Sequence, residues 1–432
     1  MRKLSSFSVV VCVCLTVTNV LSYVPKPNGL DTVVEWKLLD YEFPTESDRK
    51  TAESNGNLVP ANAVPIDVAP FYTGVGKVRL FTTIPRFATG VPFTLAIVTE
   101  SADGLPKLKP YPNYDWHSNN GTNCDSITSA FRVAITECDQ MWVIDSGVVA
   151  GNQLCPPQLL MFDLKTDNLL HRYRFPNTIY TATASLFITP IVNVRDPPPE
   201  GHCQRSMVYV ADVNSHGLVI YDQEKNTAWR AEHKFMYPDP NVATHTIAGE
   251  SFDLLDGIFG MAVNKRNLYF HPLASKSEYG VPLSVLDNST NWANGVSAMA
   301  SSFKKLGNRG SQCAAEAMDS RDNLYCVTFK PIRLFSYNTK VSYNPKNFRE
   351  ISADKERLQF VSGMKVINGT SGNEELWLIS NRFQKIAAGT QKPDEVNFRI
   401  LKINIDGQHN ALDVGTTDVA SNDLHTRLVF GA

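Results

Sequence analysis

Short apolar segments separated by polar turns recur along the chain. The clearest example is residues 131–147, FRVAITECDQMWVIDSG, in which two apolar segments flank a polar turn around Glu137–Gln140 and lead into Asp145-Ser146-Gly147. This pattern predicts a β-hairpin followed by a sharp change of direction. An apolar residue followed by an aromatic one opens a similar segment at six places: Leu80-Phe81, Met141-Trp142, Val208-Tyr209, Leu268-Tyr269, Leu324-Tyr325 and Leu376-Trp377.

The spacing of these aromatics, about 52 to 67 residues, predicts the fold. A hairpin-sized unit repeated six times at this period is typical of a β-propeller, whose blades are four-stranded sheets. We therefore predict an all-β protein with a six-bladed β-propeller over residues 65–405. A signal peptide (1–22), a lead-in (23–64) and a polar C-terminal tail (406–432) complete the expected organisation. The segment Val33–Phe43 is rich in β-formers and precedes the first blade, so it is expected to complete the last blade and close the ring.

The repeats also predict where a ligand would bind. In a propeller, the loops that join the second and third strands of the blades converge around one mouth of the central channel. By position, these loops begin at Pro85-Arg86, Asp145-Ser146-Gly147, Asp212–Asn214, Pro272–Ala274, Thr328–Lys330 and Asn381–Phe383.

The N-terminus has the pattern of a secretory signal. Arg2 and Lys3 precede an apolar run, Phe7–Val20, and Val20 and Ser22 occupy small-residue cleavage positions. A transmembrane anchor is the alternative, but the run is short for a membrane span. The formal net charge of -2 argues against nucleic acid or an anionic membrane as the main partner. We expect a secreted, extracellular protein with no membrane association after signal removal.

The cysteine count fits an oxidising compartment. Cys12 and Cys14 fall within the signal, and six cysteines remain, which allow fifteen disulfide connectivities. Their places in the repeats favour three pairs: Cys124 with Cys155, Cys138 with Cys203, and Cys313 with Cys326. A zinc site is the alternative, but no CxxC or HxxxH spacing supports it, and we predict no metal site.

Three tripeptides match the acceptor pattern for N-glycosylation. They begin at Asn120, Asn288 and Asn368, all in polar, turn-rich segments. Surface exposure is therefore expected at each of these asparagines.

Several polar residues near the predicted mouth have both a functional and a structural interpretation. Asp145 and Asp212 occupy equivalent loop positions, where carboxylates can hold an ammonium group or calcium, but a role in bonding the tight turn is favoured. Glu316 lies on a predicted inner strand, where a charge needs water, a partner or an ion. His216 and His271 fall near mouth loops and are candidate bases, although turn or surface histidines are commoner.

Glu250 and Asp256 flank another distinctive segment, DGIFGMA, and complete this set of candidates. The sequence shows no nucleophile elbow, P-loop or dinucleotide fingerprint, so hydrolase and nucleotide-dependent functions are disfavoured. No cofactor is predicted, and no catalytic residue can be assigned.

Seven longer motifs follow one another between about Trp36 and Ile405: NCDSITSAFRVAITEC (Asn123–Cys138), WVIDSG (Trp142–Gly147), GLVIYD (Gly217–Asp222), DGIFGMA (Asp256–Ala262), LYFHPLAS (Leu268–Ser275), LWLISNRFQ (Leu376–Gln384) and VNFRI (Val396–Ile400). With these motifs in this order, the sequence resembles the insect Yellow / major royal jelly protein family. The resemblance implies a secreted six-bladed propeller. The usual Gly-Cys-Trp motif and a late cysteine of that family are missing, and Cys313 and Cys326 appear instead.

The resemblance also implies a ligand site. In salivary relatives that bind biogenic amines, an Asn-x-Phe pair after the sixth-blade aromatic and a hydroxyl residue upstream form the pocket; these correspond to Asn381, Phe383 and Ser362. An aromatic ring can stack on Phe383, and the Asn381 amide can orient a hydroxyl or amine. The alternative is that Asn381 caps a turn and Phe383 packs between blades.

Three functions follow from the resemblance. The first is binding of small aromatic amines or catechol-derived melanin precursors in cuticle pigmentation, which we favour. The second is conversion of dopachrome by a proton shift, which needs a base but no cofactor. The third is a nutritive role like that of royal jelly proteins, for which the composition gives no sign such as a repetitive tail.

Overall fold

Six four-stranded antiparallel sheets surround a central channel in the computed structural model, which describes residues 29–74 and 77–406. The architecture is the predicted six-bladed β-propeller. The first strands of the blades contact one another in a closed circle and form the channel wall. The predicted signal peptide, with Cys12 and Cys14, the first residues of the lead-in and all but the first residue of the predicted tail lie outside the described residues.

The strands follow the chain from blade to blade. A leading strand at Asp31–Trp36 (β1) is followed by blade one, Asp67–Gly74 (β2), Lys77–Thr83 (β3), Leu95–Glu100 (β4) and Pro106–Pro110 (β5). Blade two comprises Ala130–Ile135 (β6), Gln140–Asp145 (β7), Gln158–Asp163 (β10) and Leu169–Arg174 (β11), with a small hairpin of Val148–Val149 (β8) and Asn152–Gln153 (β9). Blade three comprises Phe187–Val194 (β12), Ser206–Asp212 (β13), Gly217–Asp222 (β14) and Thr227–Glu232 (β15).

The second half of the ring repeats this order. A two-stranded hairpin, Thr244–Ile247 (β16) and Glu250–Asp253 (β17), precedes blade four, Ile258–Val263 (β18), Asn267–Pro272 (β19), Ser277–Pro282 (β20) and Lys304–Asn308 (β21). Blade five comprises Cys313–Met318 (β22), Asn323–Phe329 (β23), Ile332–Asn338 (β24) and Arg349–Ser352 (β25). Blade six is built from Val361–Asn368 (β26), Glu374–Asn381 (β27) and Phe398–Asn404 (β28).

Helices are short and lie in connections. The α-helices are Glu46–Ser54 (α1), Leu283–Leu286 (α2) and Phe383–Ala388 (α3). The 3-10 helices are Pro60–Asn62, Tyr114–Gly121, Lys234–Met236, Pro240–Val242, Ser289–Trp292, Ala300–Ser302 and Pro345–Asn347. Among the described residues, no helix has the length and apolar character needed to cross a membrane.

The aromatic repeat has a direct structural cause. Each of the six aromatics lies on the second strand of its blade and is at most 7% exposed: Phe81, Trp142, Tyr209, Tyr269, Tyr325 and Trp377. A large ring at this position fills the space between neighbouring sheets, and burying such a ring is worth roughly 1.5–3 kcal/mol. The repeat therefore marks the packing between blades.

The ring is closed by its two ends. β1 pairs antiparallel with β28, from Asp31 opposite Lys402 to Trp36 opposite Phe398, so the sixth sheet has the order β26-β27-β28-β1. The strand expected within Val33–Phe43 begins two residues earlier and ends at Trp36, but it closes the ring as predicted. Trp36 is buried, and its Nε1 donates to the carbonyl of Pro106 in blade one at 3.2 Å.

The structure contains three disulfides among the described residues. Cys124 is bonded to Cys155 within blade two, Cys138 to Cys203 between blades two and three, and Cys313 to Cys326 within blade five. These are the pairs favoured by their positions in the repeats. The side chains of Asn120, Asn288 and Asn368 are exposed, as glycan acceptors must be, while their glycosylation stays a prediction.

Trp36→Ala tests the contribution of β1 to ring closure. Removing this buried indole should lower the free energy of unfolding by about 3–5 kcal/mol, because a cavity replaces the contact between blades six and one. Equilibrium urea unfolding measures the change. The exposed neighbouring variant Lys37→Ala is the control and should lie within about 0.5 kcal/mol of the wild type. Equal urea midpoints for the wild type and both variants would contradict a role of Trp36 in closing the ring.

Candidate functional site

A cavity of about 430 Å³ opens at one end of the channel and is called the mouth cavity here. Its lining comes from five blades and from the segment before blade one: Ala61, Asn62, Val64, Ile66, Phe87, Ala88, Phe131, Arg132, Leu186, Ile188, Val213, Leu254, Asp256, Phe259, Leu273, Phe360, Ser362, Asn381, Phe383 and Ile386. A volume of this size accommodates a small aromatic ligand. The three residues that the family resemblance indicated, Ser362, Asn381 and Phe383, all belong to this lining.

Irregular pairing at the inner strands directs side chains into the mouth cavity. In blades two, three, four and six, the first strand carries a register shift that leaves one residue out of the ladder: Phe131, Ile188, Phe259 and Ser362. All four line the mouth cavity. A β-bulge re-aims a side chain in this way without ending the strand.

Asn381 and Ser362 are fixed by hydrogen bonds to the start of blade one. Asn381 Nδ2 donates to the carbonyl of Pro65 at 3.1 Å and to Ser362 Oγ at 3.0 Å, and Ser362 Oγ donates to the carbonyl of Ile66 at 2.9 Å. A carbonyl is only an acceptor, so the contact with Pro65 fixes the orientation of the amide. Asn381 Oδ1 is then left buried with no hydrogen-bond partner within the described chain.

Phe383 is the first residue of α3, where the sequence had predicted a loop. Its ring centroid lies 5.0 Å from that of Phe360 and 5.5 Å from that of Phe252 on the β16–β17 hairpin. The Lys385–Glu250 ion pair, at 2.7 Å, holds α3 against the same hairpin. Phe383 is half-buried, so part of its surface stays available to a ligand.

Arg132 forms the boundary between the mouth cavity and the channel. It lines the mouth cavity and also a second cavity of about 180 Å³ along the channel. Its Nη2 donates to the carbonyl of Ser362 at 3.1 Å and its Nη1 to the carbonyl of Ile188 at 3.2 Å, which links blade two to blades six and three. The guanidinium also lies over the ring of Phe259, 4.8 Å from its centroid. Burial lowers its pKa to about 10, so it stays charged at neutral pH.

Asp256 brings a negative charge to the lining of the mouth cavity. Burial raises the pKa of its carboxyl to about 6, an effect that the charge of Arg132 opposes. The sequence had identified Asp256 only as flanking a motif, and it had not indicated Arg132.

Asp145 and Asp212 have the structural role that was favoured. Asp145 is fully buried and accepts hydrogen bonds from the backbone N–H groups of Thr128, Ser129 and Gly147. Asp212 accepts from the N–H of Leu186 and pairs with Arg230 at 2.8 Å. Neither residue lines the mouth cavity.

His271 and Glu316 belong to a buried network between blades four and five rather than to the mouth cavity. His271 Nδ1 lies 3.1 Å from Glu278 Oε2 and 3.1 Å from Glu316 Oε2, while Arg309 Nη1 donates to Glu278 at 2.9 Å. Nε2 lies 3.1 and 3.0 Å from the carbonyls of Cys313 and Ala314. Since both ring nitrogens face acceptors, these contacts favour the imidazolium form, which can donate from both nitrogens.

Two cationic groups face two carboxyl groups in this network, and burial together with the charge of Glu316 raises the pKa of Glu278 to about 7. Burial opposes the imidazolium, but Glu316 and Glu278 raise the pKa of His271 to about 9. The ligand atoms of His271, Glu278 and Glu316 lie within 4.8 Å of one another, a spacing that a metal ion can use. A divalent cation would have to displace the Nδ1 proton next to Arg309.

His216 and Glu250 complete the candidates. His216 Nδ1 lies 3.0 Å from the carbonyl of Val213, and the residue is absent from the lining of the mouth cavity. Glu250 is held by Lys385 and Thr390 at the rim. Neither is placed to act on a ligand in the mouth cavity.

The fold and the site define a six-bladed propeller with a largely apolar cavity at one mouth. The model of the family described as major royal jelly protein matches residues 128–411. The chain is 33% identical over 392 residues to dopaminechrome tautomerase of Drosophila melanogaster, covering 87% of this chain and 82% of that protein. It is 33% identical to major royal jelly protein 9 of Apis mellifera, and the alignment covers 87% of this chain and 88% of that protein.

Protein yellow of Drosophila melanogaster is 30% identical, with 84% of this chain and 67% of that protein covered. The chain therefore belongs to the major royal jelly protein family, which includes the Yellow proteins. Among solved structures, virginiamycin B lyase from Staphylococcus aureus is similar with a TM-score of 0.39 and 10% identity, covering 74% of this chain and 78% of that one. That likeness is too slight to bear on function.

The network around His271 predicts a pH dependence of stability. The pKa of His271 rises from about 6.5 in the unfolded chain to about 9 in the folded protein, so folding favours the protonated imidazole. This stabilisation is complete below about pH 6.5 and is lost as the pH rises through about 9. His271→Gln should remove this part of the pH dependence and destabilise the protein by about 3–5 kcal/mol at pH 6.5, because buried charges lose their partner.

Urea unfolding at pH 6.5 and pH 9.5 measures both effects. The exposed variant His202→Gln is the control and should follow the wild type at both values. If His271→Gln keeps the full pH dependence of the wild type, the imidazolium assignment is wrong.

Proposed function

We propose that this protein is secreted and acts in cuticle pigmentation and melanin formation, by binding aromatic amines or melanin precursors in the mouth cavity. The observation that carries the proposal is the unsatisfied acceptor Asn381 Oδ1, in a residue that lines the mouth cavity together with Phe383. A buried acceptor without a donor costs roughly 1–3 kcal/mol, which a ligand N–H or O–H would recover.

The shape of the mouth cavity supports a flat, aromatic ligand. Five phenylalanines contribute to its lining: Phe87, Phe131, Phe259, Phe360 and Phe383. Aromatic rings stack or pack edge-to-face on such walls, while a few polar groups fix the orientation. A catecholamine or indolamine has this combination of a ring with polar substituents.

Secretion is supported by several independent features. Three disulfides lie within the described chain, the exposed sequon asparagines are available to glycosylation, and the first residues have the pattern of a signal peptide. A role in pigmentation is supported by the similarity to Protein yellow.

Phe383→Ala tests ligand binding. Calorimetric titration with dopamine and with serotonin should show binding by the wild type and a loss of affinity of about 10-fold or more in the variant, because the ligand ring loses its stacking surface. Phe348→Ala, which removes a half-buried phenylalanine at the outer edge of blade five, is the matched control and should bind like the wild type. Absence of binding to the wild type would refute the proposal.

A second candidate function is conversion of an aminochrome, and the similarity to dopaminechrome tautomerase favours it. The isomerisation transfers a proton from a ring carbon to a quinone oxygen, with no net oxidation, so acid–base help of roughly 10²–10⁴-fold suffices. Purified protein should then accelerate the decay of dopaminechrome absorbance, and Phe383→Ala should slow it. Decay equal to that with heat-inactivated protein would exclude this activity for dopaminechrome.

A further inference from the structure

Asp256 is positioned at the mouth by loops from two blades. Its backbone carbonyl accepts from the N–H of Ala274 at 3.2 Å, and the N–H of the next residue, Gly257, donates to the carbonyl of Val213 at 3.1 Å. Val213 follows the second strand of blade three, and Ala274 follows the second strand of blade four. The Asp256 side chain is thereby held in the lining of the mouth cavity.

The charge of Asp256 has no direct partner within the described part of the chain. No hydrogen bond or ion pair reaches its carboxylate there. Arg132 is the nearest compensating charge, but its N–H groups are directed to the carbonyls of Ser362 and Ile188 and to Thr189 Oγ1. Asp145 and Asp212, by contrast, have their carboxylates saturated by backbone donors or by Arg230.

Asp256 is half-buried, and a carboxylate partly removed from water without a donor is costly, so a ligand that brings a positive charge is favoured there. The burial that raises the pKa of Asp256 to about 6 is a measure of that cost, and the group is still mainly ionised at neutral pH. The cation of Arg132 repels a second cation at the floor of the mouth cavity. Asp256 supplies the carboxylate of this lining, so a ligand ammonium group is directed to it.

We propose that Asp256 is the ammonium-binding residue of the mouth cavity, and that it makes the site select protonated aromatic amines over neutral catechols of the same ring size. This inference rests on the proposed function. The ring lies among the phenylalanines, a ring substituent donates to Asn381, and the ammonium pairs with Asp256. Asp256 thus determines specificity, whereas Phe383 and Asn381 serve charged and neutral ligands alike.

Removing one charge at a time, from the protein and from the ligand, tests this assignment. Dopamine and 4-methylcatechol, which lacks the amine, are titrated calorimetrically into the wild type and into Asp256→Asn. The substitution should weaken dopamine binding by about 10- to 100-fold, the range for a hydrogen bond to a charged group, and change 4-methylcatechol binding by less than about 2-fold. Asp256→Glu keeps the charge and should retain a preference for dopamine.

Two controls separate binding from folding. Asp253→Asn removes a nearby exposed carboxylate outside the mouth cavity and should leave both affinities unchanged. Thermal unfolding of Asp256→Asn verifies that it folds. If it does not, Asp256→Glu decides, because the longer side chain should change the affinity for dopamine and leave that for 4-methylcatechol as in the wild type.

The failures are distinguishable. Equal weakening of both ligands, or unchanged dopamine affinity in Asp256→Asn, overturns the role of Asp256 and leaves the proposed function standing. If neither ligand binds the wild type, the proposed function itself fails, and the assignment of Asp256 fails with it.

Discussion

The pairing of β1 with β28 is the constraint on which the rest of the structure depends. It brings the first strand of the chain into the sixth blade and so sets blade one beside blade six. The candidate site lies across this same seam, since Asn381 and Ser362 of blade six donate to the carbonyls of Pro65 and Ile66. Closure of the ring therefore assembles the candidate site, and the polar pair proposed to contact a ligand also joins the ends of the ring.

The interior of the ring carries charges that the fold must compensate. Arg132 is compensated by carbonyls from two other blades and by aromatic faces, and in the second network His271 and Arg309 face two glutamates. Both arrangements link different blades. Asp256 differs because its carboxylate opens on the mouth cavity without a direct partner, and this difference is what points to a ligand.

Much of the fold could be predicted because its packing unit repeats. The aromatic on each second strand is both a sequence signal and the residue that fills the space between blades, so Trp142 and Tyr325 located their strands correctly. The lining of the mouth cavity was anticipated only where a family motif marked it, as for Asn381 and Phe383, and their role in binding stays a prediction. Arg132 and the bulged Phe131 and Phe259 carry no local signal, because a register shift depends on the neighbouring strand. The helix α3 was missed for the same reason, since its docking on the β16–β17 hairpin is a tertiary contact.

The most direct test of the account is a crystal structure of the protein soaked with dopamine. The account predicts density for the catechol ring against Phe383, with a ligand donor within hydrogen-bond distance of Asn381 Oδ1. An empty mouth cavity at saturating dopamine, or density bound only elsewhere on the ring, would contradict it.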